Sequence, residues 1–170
     1  MNVFNIERAF AQKKSRNWDK LFVCVDLHDC IIKGTYTLNN EGRELYPHAQ
    51  EVLQWFSRRP DVVLILWTSS YKRPIREIVE WLRAHGIVFQ FVNENPLCPD
   101  TQLCSFRQKF YFNILLDDKA GFDGETDWLL IKEELIRIGE WEQSDEGESA
   151  DTFFGGRFKR AIKRIRATFS

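Results

Sequence analysis

The sequence predicts an α/β fold, a three-layer, Rossmann-like arrangement with a central parallel sheet and helices on both faces. Short apolar runs alternate with stretches of helical spacing along the chain, the pattern of repeated βαβ units. One run, "VVLILWT" at 62–68, is apolar throughout, as suits a parallel strand buried on both faces. Asp26, Thr68 and Asp117 each close an apolar run, and such sheets bind ligands outside the carboxyl ends of their strands.

Each element has its own signal. Residues 3–14 read as a short helix, ended by the basic, polar "KKSRNWDK". "LFVCVD" at 21–26 is compact, apolar and rich in β-branched residues, which predicts a buried strand. In "PHAQEVLQWFSRRP", Ala49, Val52, Leu53 and Phe56 follow helical spacing and Pro60 ends the helix. After the 62–68 strand, Pro74 suits a first helical turn, Ile75, Ile78, Val79 and Leu82 share a face, and His85–Gly86 supplies a stop. "IVFQFVN" at 87–93 predicts a third strand, and "ENPLCPDTQLCSF", with its two prolines, a loop. "FNILLDD" carries a fourth strand ending at Asp117, and "TDWLLIKEELIRI" a last amphipathic helix.

The 170 residues fit one domain over 1–139, followed by an acidic linker at 140–152 and a basic amphipathic helix at 153–170. The net charge of −1 argues against a whole-chain polyanion binder, although the last segment is strongly basic. No run of about 18 apolar residues is present, so no transmembrane segment is expected. Glu7 and Arg8 interrupt the place where a signal peptide needs an apolar stretch, which predicts a cytoplasmic protein. Cys24, Cys30, Cys98 and Cys104 form no C-x-x-C pair, so neither a zinc ribbon nor a disulfide framework is expected.

If Asp26, Asp117 and Asp118 gather at one sheet edge, their charges repel unless a cation joins them. Magnesium prefers such oxygen ligands and keeps room for water or phosphate oxygens. The Thr68 or Ser69 hydroxyl suits a phosphate, and a lysine would complete the charge balance of phosphoryl transfer. Lys109, ahead of Asp117, and Lys72, just after the second strand, are both candidates. A carboxylate there can act as nucleophile and form an aspartyl phosphate. Each piece alone has an ordinary reading: a turn after a strand, a helix cap at Thr68–Ser70, or solvated lysines. Their joint order favours chemistry.

"VCVDLHDCI", "LILWTSS", Lys109 and "ILLDDKAGFD" resemble the motifs of the haloacid dehalogenase-like (HAD) superfamily of aspartate-nucleophile phosphohydrolases. "EIVEWLRAHGIVFQFVNENP" and "ILLDDKA" further resemble a small, cap-poor group of HAD phosphatases, and the likeness spans roughly residues 20–135. The resemblance implies a HAD-type fold with a minimal cap and Mg2+ as cofactor. It implies Asp26 as nucleophile and metal ligand, Thr68 with Ser69 on the phosphoryl group, and Lys109, or else Lys72, as the stabilising lysine. Asp117 and Asp118 would hold the metal, with Asp123 in support.

His28 departs from the family pattern, standing where these phosphatases carry the acid/base aspartate. That position gives the metal its backbone carbonyl, so histidine spares the metal site while changing the proton donor. Imidazole is a competent acid/base near neutral pH, although a nearby magnesium ion disfavours its cationic form. Three readings stay open: a working imidazole, a shift of the role to Asp29, or loss of hydrolysis.

The spacing leaves no room for a helical cap, only a flap, "KGTYTLNNEGRELY", in which Tyr36, Arg43 and Tyr46 could meet a substrate. The expected function is a magnesium-dependent phosphatase with an open site, suited to a nucleotide or a phosphorylated polymer. The basic C-terminal helix could attract nucleic acid, a membrane surface or a second subunit. The alternative is a catalytically weak or inactive HAD-like module that binds phosphate or nucleic acid. A receiver domain is a poorer match, because receivers carry their acid pair early in the chain.

Overall fold

The computed structural model describes residues 4–34, 43–106 and 109–141, with Lys72 and Arg73 described in backbone only. Four strands form one parallel sheet: β1 (Leu21–Asp26), β2 (Val62–Trp67), β3 (Phe91–Val92) and β4 (Ile114–Leu116), in the order β3-β2-β1-β4. Four helices join them: α1 (Ile6–Ser15), α2 (Ala49–Arg58), α3 (Lys72–Ala84) and α4 (Asp127–Arg137). The Rossmann-like α/β class read from the sequence is therefore the class of the fold. No helix among the described residues is long and apolar enough to cross a membrane.

β1 lies between β2 and β4, paired from Leu21↔Val62 to Asp26↔Trp67 on one side and from Val23↔Ile114 to Val25↔Leu116 on the other. Period-two alternation splits its side chains between two faces. Leu21, Val23 and Val25, with Leu64, Leu66 and Leu116, pack against all four helices through residues such as Phe10, Phe56, Ile78 and Trp128. Phe22, Cys24, Val63 and Ile65 point the other way, under Phe110, Tyr111 and Phe112. Burial pushes the Cys24 thiol up to about 12, with Asp117 and Asp26 adding to the effect, so it behaves as a small apolar residue.

Helices on both faces were expected, and the described helices cover one. Chain handedness explains this. From β1 to β2 to β3 the chain steps one way, so right-handed crossovers put α2 and α3 on the same face. From β3 to β4 it steps back past β1, which puts that connection on the opposite face. This connection, residues 93–113, is the proline-bearing loop, and its aromatic end makes the second layer.

The third strand is shorter than expected. Ile87 and Phe89 turn into the helical core, and Val88 N–H donates to Ser57 Oγ at 3.0 Å. Gln90 Oε1 accepts from Leu64 N–H at 2.7 Å, taking the place of a strand bond. The helix stop at 85–86 is realised, with Gly86 at φ +74, a left-handed position that glycine adopts without strain.

The domain also runs past the expected boundary at 139. Trp141 stacks on Trp55 with centroids 5.3 Å apart, and Glu140 pairs with Arg59 at 2.9 Å. The rest of the linker and the basic helix lie outside the described residues, as does Tyr36.

At the amino end of the sheet, Arg59 lies over the Trp55 ring and grips Asp61 through two bonds of 2.9 Å, while Lys13 holds the same carboxylate at 2.9 Å. Burial raises the pKa of Asp61, but these partners outweigh it and leave the carboxyl at about 2. Its pKa is thus depressed on folding, so its stabilisation is full above about pH 4 and is lost as the pH falls through about 2. Asp61→Asn should cost about 2 kcal/mol at pH 7, measured by urea unfolding, with the gap to wild type narrowing from pH 4 downward.

Candidate functional site

The site lies at the carboxyl edge of the sheet. Asp26 is the last residue of β1, and its Oδ1 accepts from Leu27 N–H at 2.8 Å. The same N–H reaches Trp67 O at 3.1 Å, which ties the turn after β1 to the end of β2. The chain then doubles back tightly: Ile31 and Ile32 N–H donate to Leu27 O at 3.1 and 3.0 Å, and Asp29 takes φ +59. Aspartate tolerates that left-handed conformation better than most residues. Trp128, fully buried on α4, donates its indole N–H to Cys30 O at 2.8 Å and pins the turn from below.

The second edge comes from β2. Thr68 is buried, and Asn93 clasps its peptide from both sides. Thr68 N–H donates to Asn93 Oδ1 at 2.8 Å, and Asn93 Nδ2 donates to Thr68 O at 2.6 Å. The Thr68 hydroxyl accepts from Ser70 N–H at 3.2 Å.

The third edge follows β4. Asp117 Oδ1 accepts from Lys119 N–H at 2.8 Å, opening a single 3-10 turn over Asp118–Ala120 that Gly121 closes at φ +92. The Lys119 ammonium pairs with the Asp118 carboxylate.

These edges enclose a cleft of about 420 Å³. Asp26, His28 and Asp29 line it from the first edge, Trp67, Ser69 and Ser70 from the second, and Asp117, Asp118 and Lys119 from the third. Oxygens of Asp26 and Asp118 and the sulfur of Cys30 lie within 4.8 Å of one another. Burial pushes the Asp26 carboxyl up; the Leu27 N–H opposes this, Asp117 and Asp118 push it further, and it reaches about 6. The buried Cys30 thiol is also pushed far up, first by burial and then by Asp26, which keeps it a neutral, weak donor. The strong donors of this set are carboxylate oxygens, and they fit a hard divalent cation such as magnesium.

The structure thus brings together Asp26, His28, Ser69, Asp117 and Asp118 of the expected residues. Thr68 is buried and is not on the cleft lining; its hydroxyl closes the turn to Ser70 instead. Lys109 is exposed and lines no part of it, and the side chain of Lys72 is outside the description. Among the described side chains, Lys119 is the lysine that lines the cleft; the "DDK" triplet was the signal for it. Asp123 instead closes the turn ahead of α4, its Oδ1 accepting from Glu125 N–H at 3.0 Å. Arg43 approaches Glu77 at 3.9 Å and Tyr46 packs on Gly124, so neither reaches the cleft wall. Trp67 was missed as a site residue, although it ends its strand as Asp26 ends β1.

No family model matches the chain, and no curated protein does. A solved structure of a conserved protein from Bacteroides thetaiotaomicron is similar, with a TM-score of 0.51 and 24% identity over 76% of this chain and 99% of that one. This likeness supports the fold alone: a Rossmann-like α/β protein.

Two outcomes follow from the geometry. Asn93→Ala leaves both polar groups of the Thr68 peptide without their partner, so it should cost about 1–3 kcal/mol and speed amide exchange at Thr68. Asp26→Asn should stabilise the cation-free protein. Below about pH 4 the Asp26 carboxyl is protonated in both folded and unfolded chains and contributes nothing. Between about 4 and 6 only the unfolded chain ionises, and above 6 the folded chain carries the full cost of the charge. The variant should therefore gain on the order of 1–2 kcal/mol at pH 7 and nothing at pH 4, read from urea unfolding with a chelator present.

Proposed function

We propose that the chain is a magnesium-dependent phosphohydrolase of the HAD type, with Asp26 as its nucleophile. One observation carries this reading. A half-buried aspartate at the end of the β1 strand faces a cleft with three further carboxylates, hydroxyls, an imidazole and a lysine. Asp26 and Asp118 would hold the cation, with the Asp117 charge beside them, and such a cation would supply charge neutralisation for phosphate oxygens.

The residues divide the work as follows. A carboxylate oxygen of Asp26 attacks phosphorus, the bond to the leaving oxygen breaks, and His28 in its imidazolium form gives that oxygen a proton. Water then attacks the phosphorus of phospho-Asp26 and passes its proton to His28. The carboxylate departs and inorganic phosphate is released. The Ser69 and Ser70 hydroxyls and the Lys119 ammonium line the cleft and would bind phosphoryl oxygens. Segments 27–48 and 69–113 hold no inserted cap domain among the described residues, and a site without such a cap would suit a nucleotide or the end of a phosphorylated polymer.

The test is hydrolysis of p-nitrophenyl phosphate and simple alkyl phosphates with magnesium. Wild type should turn over, and Asp26→Asn should lose at least about 100-fold. His28→Gln should slow alkyl phosphates about 100-fold; with the nitrophenyl ester, whose leaving group departs without a proton, it should spare the first step, seen as a burst of nitrophenolate, while slowing release of phosphate from phospho-Asp26. Full activity in Asp26→Asn would remove the nucleophile assignment. An inert wild type with an active His28→Asp variant would favour the phosphate-binding module instead.

A further inference from the structure

Trp67 has no role in the chemistry above, yet it is the direct neighbour of the nucleophile. Asp26 and Trp67 are paired in register across β1 and β2, so their side chains leave the sheet on the same face. Every other residue of β2 is buried, whereas Trp67 is 40% exposed and lines the cleft. Its indole is not loose. Phe110, itself buried, backs it at 5.1 Å between ring centroids, and Phe112 packs edge-on to Phe110 at 6.0 Å. A rigid aromatic wall therefore opens onto a cleft whose other walls are charged or hydroxylated.

Such a wall offers a π-face to a planar ring, and base–aromatic stacking of this kind tolerates any base. The cleft, at about 420 Å³, has room for a sugar and a base beside the phosphoryl group, more than a simple aryl phosphate fills. We propose that Trp67 is the specificity-determining residue of the site, and that the substrate is a nucleoside phosphate whose base stacks on the indole while its phosphoryl group meets Asp26. This rests on the phosphohydrolase reading for the reaction, but the stacking itself can be tested without turnover.

The experiment is calorimetric binding of adenosine 5′-monophosphate and ribose 5-phosphate, with magnesium, to the full chain carrying Asp26→Asn. Both ligands present the same phosphate and sugar, so any loss of affinity caused by the variant cancels in their ratio. The monophosphate should bind at least about ten-fold tighter, Trp67→Ala should abolish that preference, and Trp67→Phe should keep most of it. Circular dichroism checks that each variant is folded, and the phenylalanine variant serves if the alanine variant is not. Equal affinity for the two ligands, binding of neither, or a preference that survives Trp67→Ala would overturn the proposal. So would a tryptophan effect on wild-type hydrolysis of p-nitrophenyl phosphate with no base preference, which would indicate an aryl phosphate. An inert wild type that keeps the base preference would sink the phosphohydrolase reading and leave the stacking site standing.

Discussion

Three carboxylates held at one sheet edge repel one another, and the rest of the structure is arranged to keep them there. A free chain would separate Asp26 from Asp117 and Asp118. The fold forbids it by placing them at the ends of neighbouring strands, and burial first, with Asp117 and Asp118 adding to it, raises the Asp26 carboxyl to about 6. A charged group in such a position is unfavourable for stability and useful for chemistry, a combination common at reactive sites.

Holding that edge takes several independent clamps. Leu27 N–H links the ends of β1 and β2, Trp128 anchors the turn through Cys30 O, and Asn93 fixes the Thr68 peptide. Each clamp uses a side chain or amide far from the others in sequence, so local propensity alone would not build the site. The helical core contributes indirectly. It fixes α4, and with it the indole that holds the first loop.

The sequence was readable where burial imposes a strict pattern. β1, β2, α2 and α4 followed from apolar runs and helical spacing, and Asp26, Asp117 and Asp118 from their place at the ends of runs. What it hid was set by three-dimensional reach. The loop after β3 covers a whole face because of crossover handedness, which no local window encodes. Lys109 lies eight residues before Asp117, yet it faces solvent, while Lys119 follows the acids through a 3-10 turn that a "DD" pair alone does not announce. Residues 87–90 carry strand-like letters, but Ile87 and Phe89 bury their side chains in the helical core and the Val88 N–H donates to Ser57. Trp67 read as one more apolar strand residue, because exposure at a strand end leaves no mark on the pattern.

The strand order also has a consequence for how the molecule forms. β1 and β2 meet over about forty residues, with α2 between them, whereas β4 reaches β1 from the far end of the domain, where Asn113 Oδ1 accepts from Phe22 N–H at 2.8 Å. During synthesis the first three strands emerge and can pair before β4 leaves the ribosome. The acid cluster is therefore completed late, after the first three strands and only shortly before α4. A nascent or truncated chain ending before residue 117 could hold much of the helical core and still lack two of its three carboxylates. The chain acquires its most repulsive feature after its first three strands are available, and the Trp128 clamp follows within about ten residues.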